Sequence, residues 1–159
     1  MNSKELKFLQ EAINLAKKGM ESNSGGPFGA IVVDEAGTII GRGYNQVTAT
    51  KDPTAHAEIV AIRQACKKIN SFQLTGCTIF ASCEPCPMCL GAIYWARPDK
   101  LIYANTREDA ALIGFDDQFI YDEINVQYSK RKIITQNALR DKGWEVMKEW
   151  RVKNDREDY

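Results

Sequence analysis

Asp52-Pro53-Thr54-Ala55-His56-Ala57-Glu58 and Ser82-Cys83-Glu84-Pro85-Cys86-Pro87-Met88-Cys89 are the stretches from which the fold is read. Each puts chemistry-bearing side chains where an irregular run gives way to a helical pattern. Asp52-Pro53-Thr54 introduces the first helix, with Thr54 as its candidate N-cap. Val60, Ala61 and Ala65 carry the helical period on to about Asn70. The second helix opens at Pro85 or Pro87, because proline is tolerated in a first turn, where its missing N–H would have been unpaired. It runs to about Trp95-Ala96, and Arg97-Pro98 breaks it. Before it, Cys77 to Ala81 reads as a buried strand.

Working outward, the same alternation continues. Leu6, Leu9, Ile13, Leu15, Ala16 and Met20 predict an amphipathic helix over residues 3–20, capped by Ser3. Gly25-Gly26-Pro27-Phe28-Gly29 has no Gly-Lys-Ser/Thr ending, so it is a tight entry into a strand and not a phosphate loop. Gly29 to Val33 and Thr38 to Gly43 form a hairpin across Asp34-Glu35-Ala36-Gly37. Asn45 follows as a turn former or a ligand contact. Lys100 to Ala104 is a further strand, Arg107 to Leu112 a short helix, and Ile133-Ile134-Thr135 a candidate last strand. Trp144, Met147 and Trp150 recur on one face of a C-terminal helix. The order predicts one α/β domain over residues 1–159, a three-layer α/β/α sandwich around a mixed sheet of about five strands.

Bulk properties narrow the function. Lys and Arg total 21 and Asp and Glu total 21, so the formal net charge is zero. Nucleic-acid binders usually carry a basic excess, and no nucleic-acid partner is expected here. Charged residues interrupt every apolar run near the N-terminus, and no run reaches membrane-spanning length, so a cytoplasmic protein without a membrane partner is expected. Five cysteines, three of them clustered at Cys83, Cys86 and Cys89, argue for metal or redox chemistry over a disulfide framework.

His56 is the single histidine. That excludes zinc sites needing two or three histidines. It excludes a Ser-His-Asp triad as well, unless His56 is withheld from the metal. The spacing H-x-E…P-C-x-x-C is a known zinc deaminase signature, with His and two Cys as ligands and Glu as proton carrier. A closed site with Cys83 as fourth ligand would be structural; an open site keeps a position for water. Glu58, two residues from His56, serves the open site. A thioredoxin-like redox pair would leave His-x-Glu unexplained.

The two motif stretches together resemble the cytidine-deaminase-like superfamily. Gly26-Pro27-Phe28-Gly29-Ala30, Gly91-Ala92-Ile93-Tyr94-Trp95-Ala96 and Gly114-Phe115-Asp116-Asp117 are similar, within it, to the bacterial guanine deaminase family. The resemblance implies hydrolytic deamination of a purine base, guanine to xanthine and ammonia. It implies one zinc ion per chain on His56, Cys86 and Cys89, with Glu58 as proton shuttle and Asp117 as a second catalytic acid. It implies Phe28, Asn45, Ala57, Trp95, Asp117 and Tyr159 as substrate-binding residues. It also implies a homodimer in which a segment of about 140–159 crosses to the other subunit. Trp95 reads equally as a core aromatic, Asp117 as a helix cap and Tyr159 as a frayed terminus. Guanosine, tRNA adenosine and cytosine or cytidine deamination are the alternatives, and a non-catalytic zinc-stabilised interaction module is the alternative of another class.

Overall fold

Gly29–Val33 (β1) is buried at every position, so both faces of this strand are covered. In the computed structural model, which describes residues 1–158, β1 is an inner strand of a four-stranded sheet. Ile39–Tyr44 (β2) pairs with it antiparallel, with an irregularity between Val32 and Val33. Thr78–Cys83 (β3) pairs with its other edge, also antiparallel. Lys100–Asn105 (β4) runs parallel to β3, giving the order β2-β1-β3-β4. A parallel pair needs a crossover, and the helix Pro87–Ala96 (α4) supplies it.

Strand alternation sorts the core into two. Ala30, Val32, Ile40 and Ile79 face Ala57, Ala61 and Ala65 of the helix Ala57–Ile69 (α3) and Ile93 of α4. Ile31, Val33 and Phe80 face Leu9 and Ala12 of the helix Ser3–Glu21 (α1). The three layers expected from the sequence are present. Phe80 is 2% exposed, and burying such a side chain contributes roughly 2–3 kcal/mol.

Local chemistry moves several boundaries. The N-cap of α1 is Asn2, not Ser3: Asn2 Oδ1 accepts from the N–H groups of Lys4 and Glu5, and the Glu5 carboxylate accepts from the Asn2 N–H. Thr54 does not cap α3. Its N–H and hydroxyl both donate to Asp52 Oδ1, in a local turn over residues 52–55, and the helix starts only after the extended His56. Val47–Thr50 (α2) is a single turn too short to show a period. Arg107–Leu112 (α5) forms as expected, capped by Thr106 and Asp109.

The sheet has four strands, not about five. Residues 133–135 form no strand, and Ile133 and Ile134 are 80% and 87% exposed. Two neighbouring isoleucines both facing solvent lack the alternation of a half-buried strand.

The described chain gathers into two compact units, with the first ending at Asp117. The second begins at Gln118 and holds the helices Gln118–Asn125 (α6) and Arg140–Val152 (α7), with a 3₁₀ turn at Tyr128–Lys130 between them. None of its helical residues is buried. Among the described residues no helix is long and apolar enough to cross a membrane.

Candidate active site

Two helix starts meet at the carboxyl end of β3, the end of an open α/β sheet where ligands bind. His56 is the N-cap of α3 and Cys86 the N-cap of α4. Neither makes a side-chain capping bond, so imidazole and sulfur stay available. Glu58 and Cys89 follow in the first turn of each helix. Gly43 of β2 lets α3 come this close, because a Cβ there would collide with the Ala57 carbonyl oxygen and the Ala61 nitrogen.

The three metal-ligating residues converge. His56 Nδ1 lies 3.5 Å from Cys86 Sγ and 3.5 Å from Cys89 Sγ. All three donor atoms lie within 4.8 Å of one another. Zinc–sulfur and zinc–nitrogen bonds at tetrahedral angles require an N···S separation of about 3.6 Å. The donor set therefore fits one zinc ion as it stands. Cys83 is not a fourth ligand: it lines the same cavity but is not among the converging donors, and its thiol donates to the Thr106 carbonyl at 3.4 Å. Burial pushes that thiol up to about 11, which keeps it neutral.

Electrostatics match this assignment. Hydrogen bonding from Cys89, and then from His56, holds the Cys86 thiol down at about 4, so it is a thiolate. Cys89 is pushed the other way by the same bond and by burial, so the metal-free pair shares one proton. The bond to Cys86 also raises the His56 imidazole. Glu58 is 8% exposed, and burial raises its carboxyl above the usual range. Its Oε2 accepts from Cys89 Sγ at 3.4 Å.

A cavity of about 440 Å³ opens over these groups, lined within the first unit by His56, Glu58, Cys86, Phe28, Asn45 and Asp117, among others. Asn45 is 5% exposed; its Oδ1 accepts from the Val47 N–H at 3.1 Å, which turns its Nδ2 donor to other use. Burial, and then the Cys86 thiolate, raise the Asp117 carboxyl. Ala57 is buried between His56 and Glu58 and is not part of the wall; its N–H is one of the first-turn donors with no intrahelical partner. Trp95 is not among the residues that line the cavity within the first unit. It is 65% exposed in the last turn of α4, roughly 13 Å along the helix from the Cys86 end. Tyr159 lies outside the described residues.

Several walls were not marked by the sequence. Phe115 meets Phe28 edge to face, with ring centroids 4.9 Å apart, and completes an aromatic corner. Arg107 and Glu84 line the cavity as well. Glu84 lay in plain view beside the cysteines, and Phe115 beside Asp117.

Residues 2–105 match the family described as the cytidine and deoxycytidylate deaminase zinc-binding region. Guanine deaminase of Bacillus subtilis (strain 168) is 55% identical over 126 residues, 79% of this chain and 80% of the relative. The X-ray structure of guanine deaminase from Bacillus subtilis superposes with a TM-score of 0.94 at 46% identity, covering 100% of this chain and 99% of that one. A tRNA-specific adenosine deaminase of Haemophilus influenzae is 39% identical over 116 residues, 73% of this chain and 66% of the relative.

Proposed function

The chain belongs to the cytidine and deoxycytidylate deaminase zinc-binding family, and on that premise we propose that it deaminates guanine hydrolytically to xanthine and ammonia. One observation carries the chemistry: a buried carboxyl, Glu58, stands beside a three-donor zinc set in a cavity that also holds Asp117. The guanine deaminase relative supports the choice of base.

When bound, zinc lowers the pKa of a water to about 7 and so supplies the nucleophile at neutral pH. Glu58 takes a proton from the attacking water and gives it to the ring nitrogen beside the amine-bearing carbon. It then takes the remaining proton from the new hydroxyl on that carbon and delivers it to the leaving amine. The carbon–nitrogen bond breaks, ammonia leaves and a carbonyl remains. Burial raises the Glu58 carboxyl above the usual carboxylate range, which favours its holding the proton between the two transfers.

Guanine presents N–H donors on one edge and acceptors on another, on a flat apolar face. Asp117 accepts from the donor edge. Asn45 Nδ2 donates to an acceptor, and the Phe28 ring, held by Phe115, covers the face. By resemblance, the C-terminal Tyr159 closes the pocket, and segment 140–159 crosses to a second copy in a homodimer. The exposed Trp144, Met147 and Trp150 of α7, at 44%, 64% and 45%, support a partner for that helix.

The test offers zinc-loaded protein guanine, guanosine, adenine, cytosine and cytidine in turn, with ammonia measured. Ammonia from guanine in preference to the others is expected; ammonia from guanosine or cytidine with none from guanine would overturn the reading. Truncation after Lys153 is expected to raise KM for guanine, and unchanged kinetics would take Tyr159 out of the pocket.

A further inference from the structure

The helix α5 has six residues, too few to be stable alone. Its first-turn N–H groups therefore need outside partners. Two are met locally: the Asp109 N–H donates to Thr106 Oγ1, and the Thr106 N–H donates to Asp109 Oδ2 at 2.9 Å. The Arg107 N–H is met from elsewhere in the chain. It donates to Glu84 Oε2 at 3.2 Å.

Glu84 is itself fixed on the metal side. It lies between β3 and Cys86, and its N–H donates to the Asn105 carbonyl at 2.8 Å, continuing the β3–β4 ladder past Cys83 and Asn105. The far end of α5 is equally tied. The Phe115 N–H donates to the Ala110 carbonyl at 3.0 Å, and the Gly114 N–H to the Ala111 carbonyl at 3.0 Å. Gly114 makes the bend at φ +90°, a conformation that favours glycine. Phe115 then meets Phe28, and Asp117 reaches the cavity.

One side chain thus joins the cysteine loop to the segment that carries the second acid. We propose that Glu84 is a positioning residue: through the Arg107 N–H it sets α5, and through α5 it sets Phe115 and Asp117 relative to His56, Glu58 and Cys86. The role is that of a hydrogen-bond acceptor, not of a charge. It rests on the guanine deaminase reading only where activity is the readout.

The test compares Glu84→Ala and Glu84→Gln in the full chain, alone and combined with Asp117→Asn. Amide hydrogen exchange over residues 106–117 reads positioning without any substrate: Glu84→Ala should exchange faster there and no faster in β1, while Glu84→Gln, which keeps an acceptor oxygen, should match the parent. Zinc content should stay at one per chain in both. With guanine, Glu84→Ala should raise KM about five- to tenfold, the scale of one lost hydrogen bond. Adding it to Asp117→Asn should cost little more, because both act on one contact. Unchanged exchange over 106–117, or Glu84→Gln as damaged as Glu84→Ala, would overturn the proposal. So would zinc loss, or losses that simply add. A parent protein inert toward guanine would overturn the function instead, and exchange would still decide Glu84.

Discussion

Glu58→Gln separates the chemistry of the site from its architecture. The amide has the size of the carboxyl and keeps an oxygen where Glu58 Oε2 accepts from Cys89 Sγ. It cannot carry a proton. General acid–base catalysis by one group contributes about a hundred- to ten-thousand-fold, and Glu58 is assigned two transfers, so the loss belongs at the upper end. A ten-thousand-fold loss in kcat corresponds to about 5 kcal/mol of barrier. Stability moves the other way in metal-free protein. Burial raises the folded carboxyl above its unfolded value, so its favourable contribution is full below the unfolded pKa and is lost as pH rises through the folded one. Above the ordinary carboxylate range, then, burying Glu58 costs stability that glutamine does not cost. The assays are ammonia release from guanine, zinc content and thermal melting with and without zinc. The variant should bind zinc, be nearly inactive, and melt no lower than the metal-free parent, with the gap widening in its favour as pH rises. Turnover within tenfold of the parent, or loss of zinc, would refute the reasoning.

Three further outcomes follow from the same geometry. Cys83→Ser should keep one zinc per chain and most of the activity, because the thiol donates to Thr106 and is no ligand; metal analysis showing loss of zinc would restore the closed-site alternative. Zinc uptake by the metal-free protein should release at least one proton, from Cys89, and the affinity should fall as pH is lowered; uptake with no proton release in a lightly buffered titration would contradict the shared proton. Gly43→Ala should cost about 1–3 kcal/mol in denaturant melts and weaken zinc binding, because the new Cβ strikes the start of α3 beneath His56; parent-like melting would show that the contact yields.

Much of the site was legible because its residues sit where helices start. His56 with Glu58, and Cys86 with Cys89, each occupy an N-cap and a first turn, and the flanking Pro and periodic Ala and Ile residues marked those turns. Only distance was missing, and the folded chain supplies it. The layers were legible for a similar reason, since β1 is apolar on both faces. What failed was local competition. Thr54 had the identity of a cap but bonds Asp52 instead, and Ser3 lost the capping role to Asn2. Ile133-Ile134-Thr135 had strand composition and no alternation. Phe115 and Glu84 were missed because each acts across the chain, Phe115 on Phe28 and Glu84 on Arg107, and no periodicity reports such a contact. Trp95 was taken from resemblance alone, and no periodicity marks it; it stands 65% exposed in the last turn of α4.

The central claim is that His56, Cys86, Cys89 and Glu58 hydrolyse the amine of guanine. Its most direct test is mass spectrometry of the product formed by zinc-loaded protein from guanine in water enriched in the heavy oxygen isotope. Xanthine carrying one heavy oxygen, with ammonia in equal amount, is the expected product. Unlabelled xanthine, or no xanthine while another base yields ammonia, would contradict it.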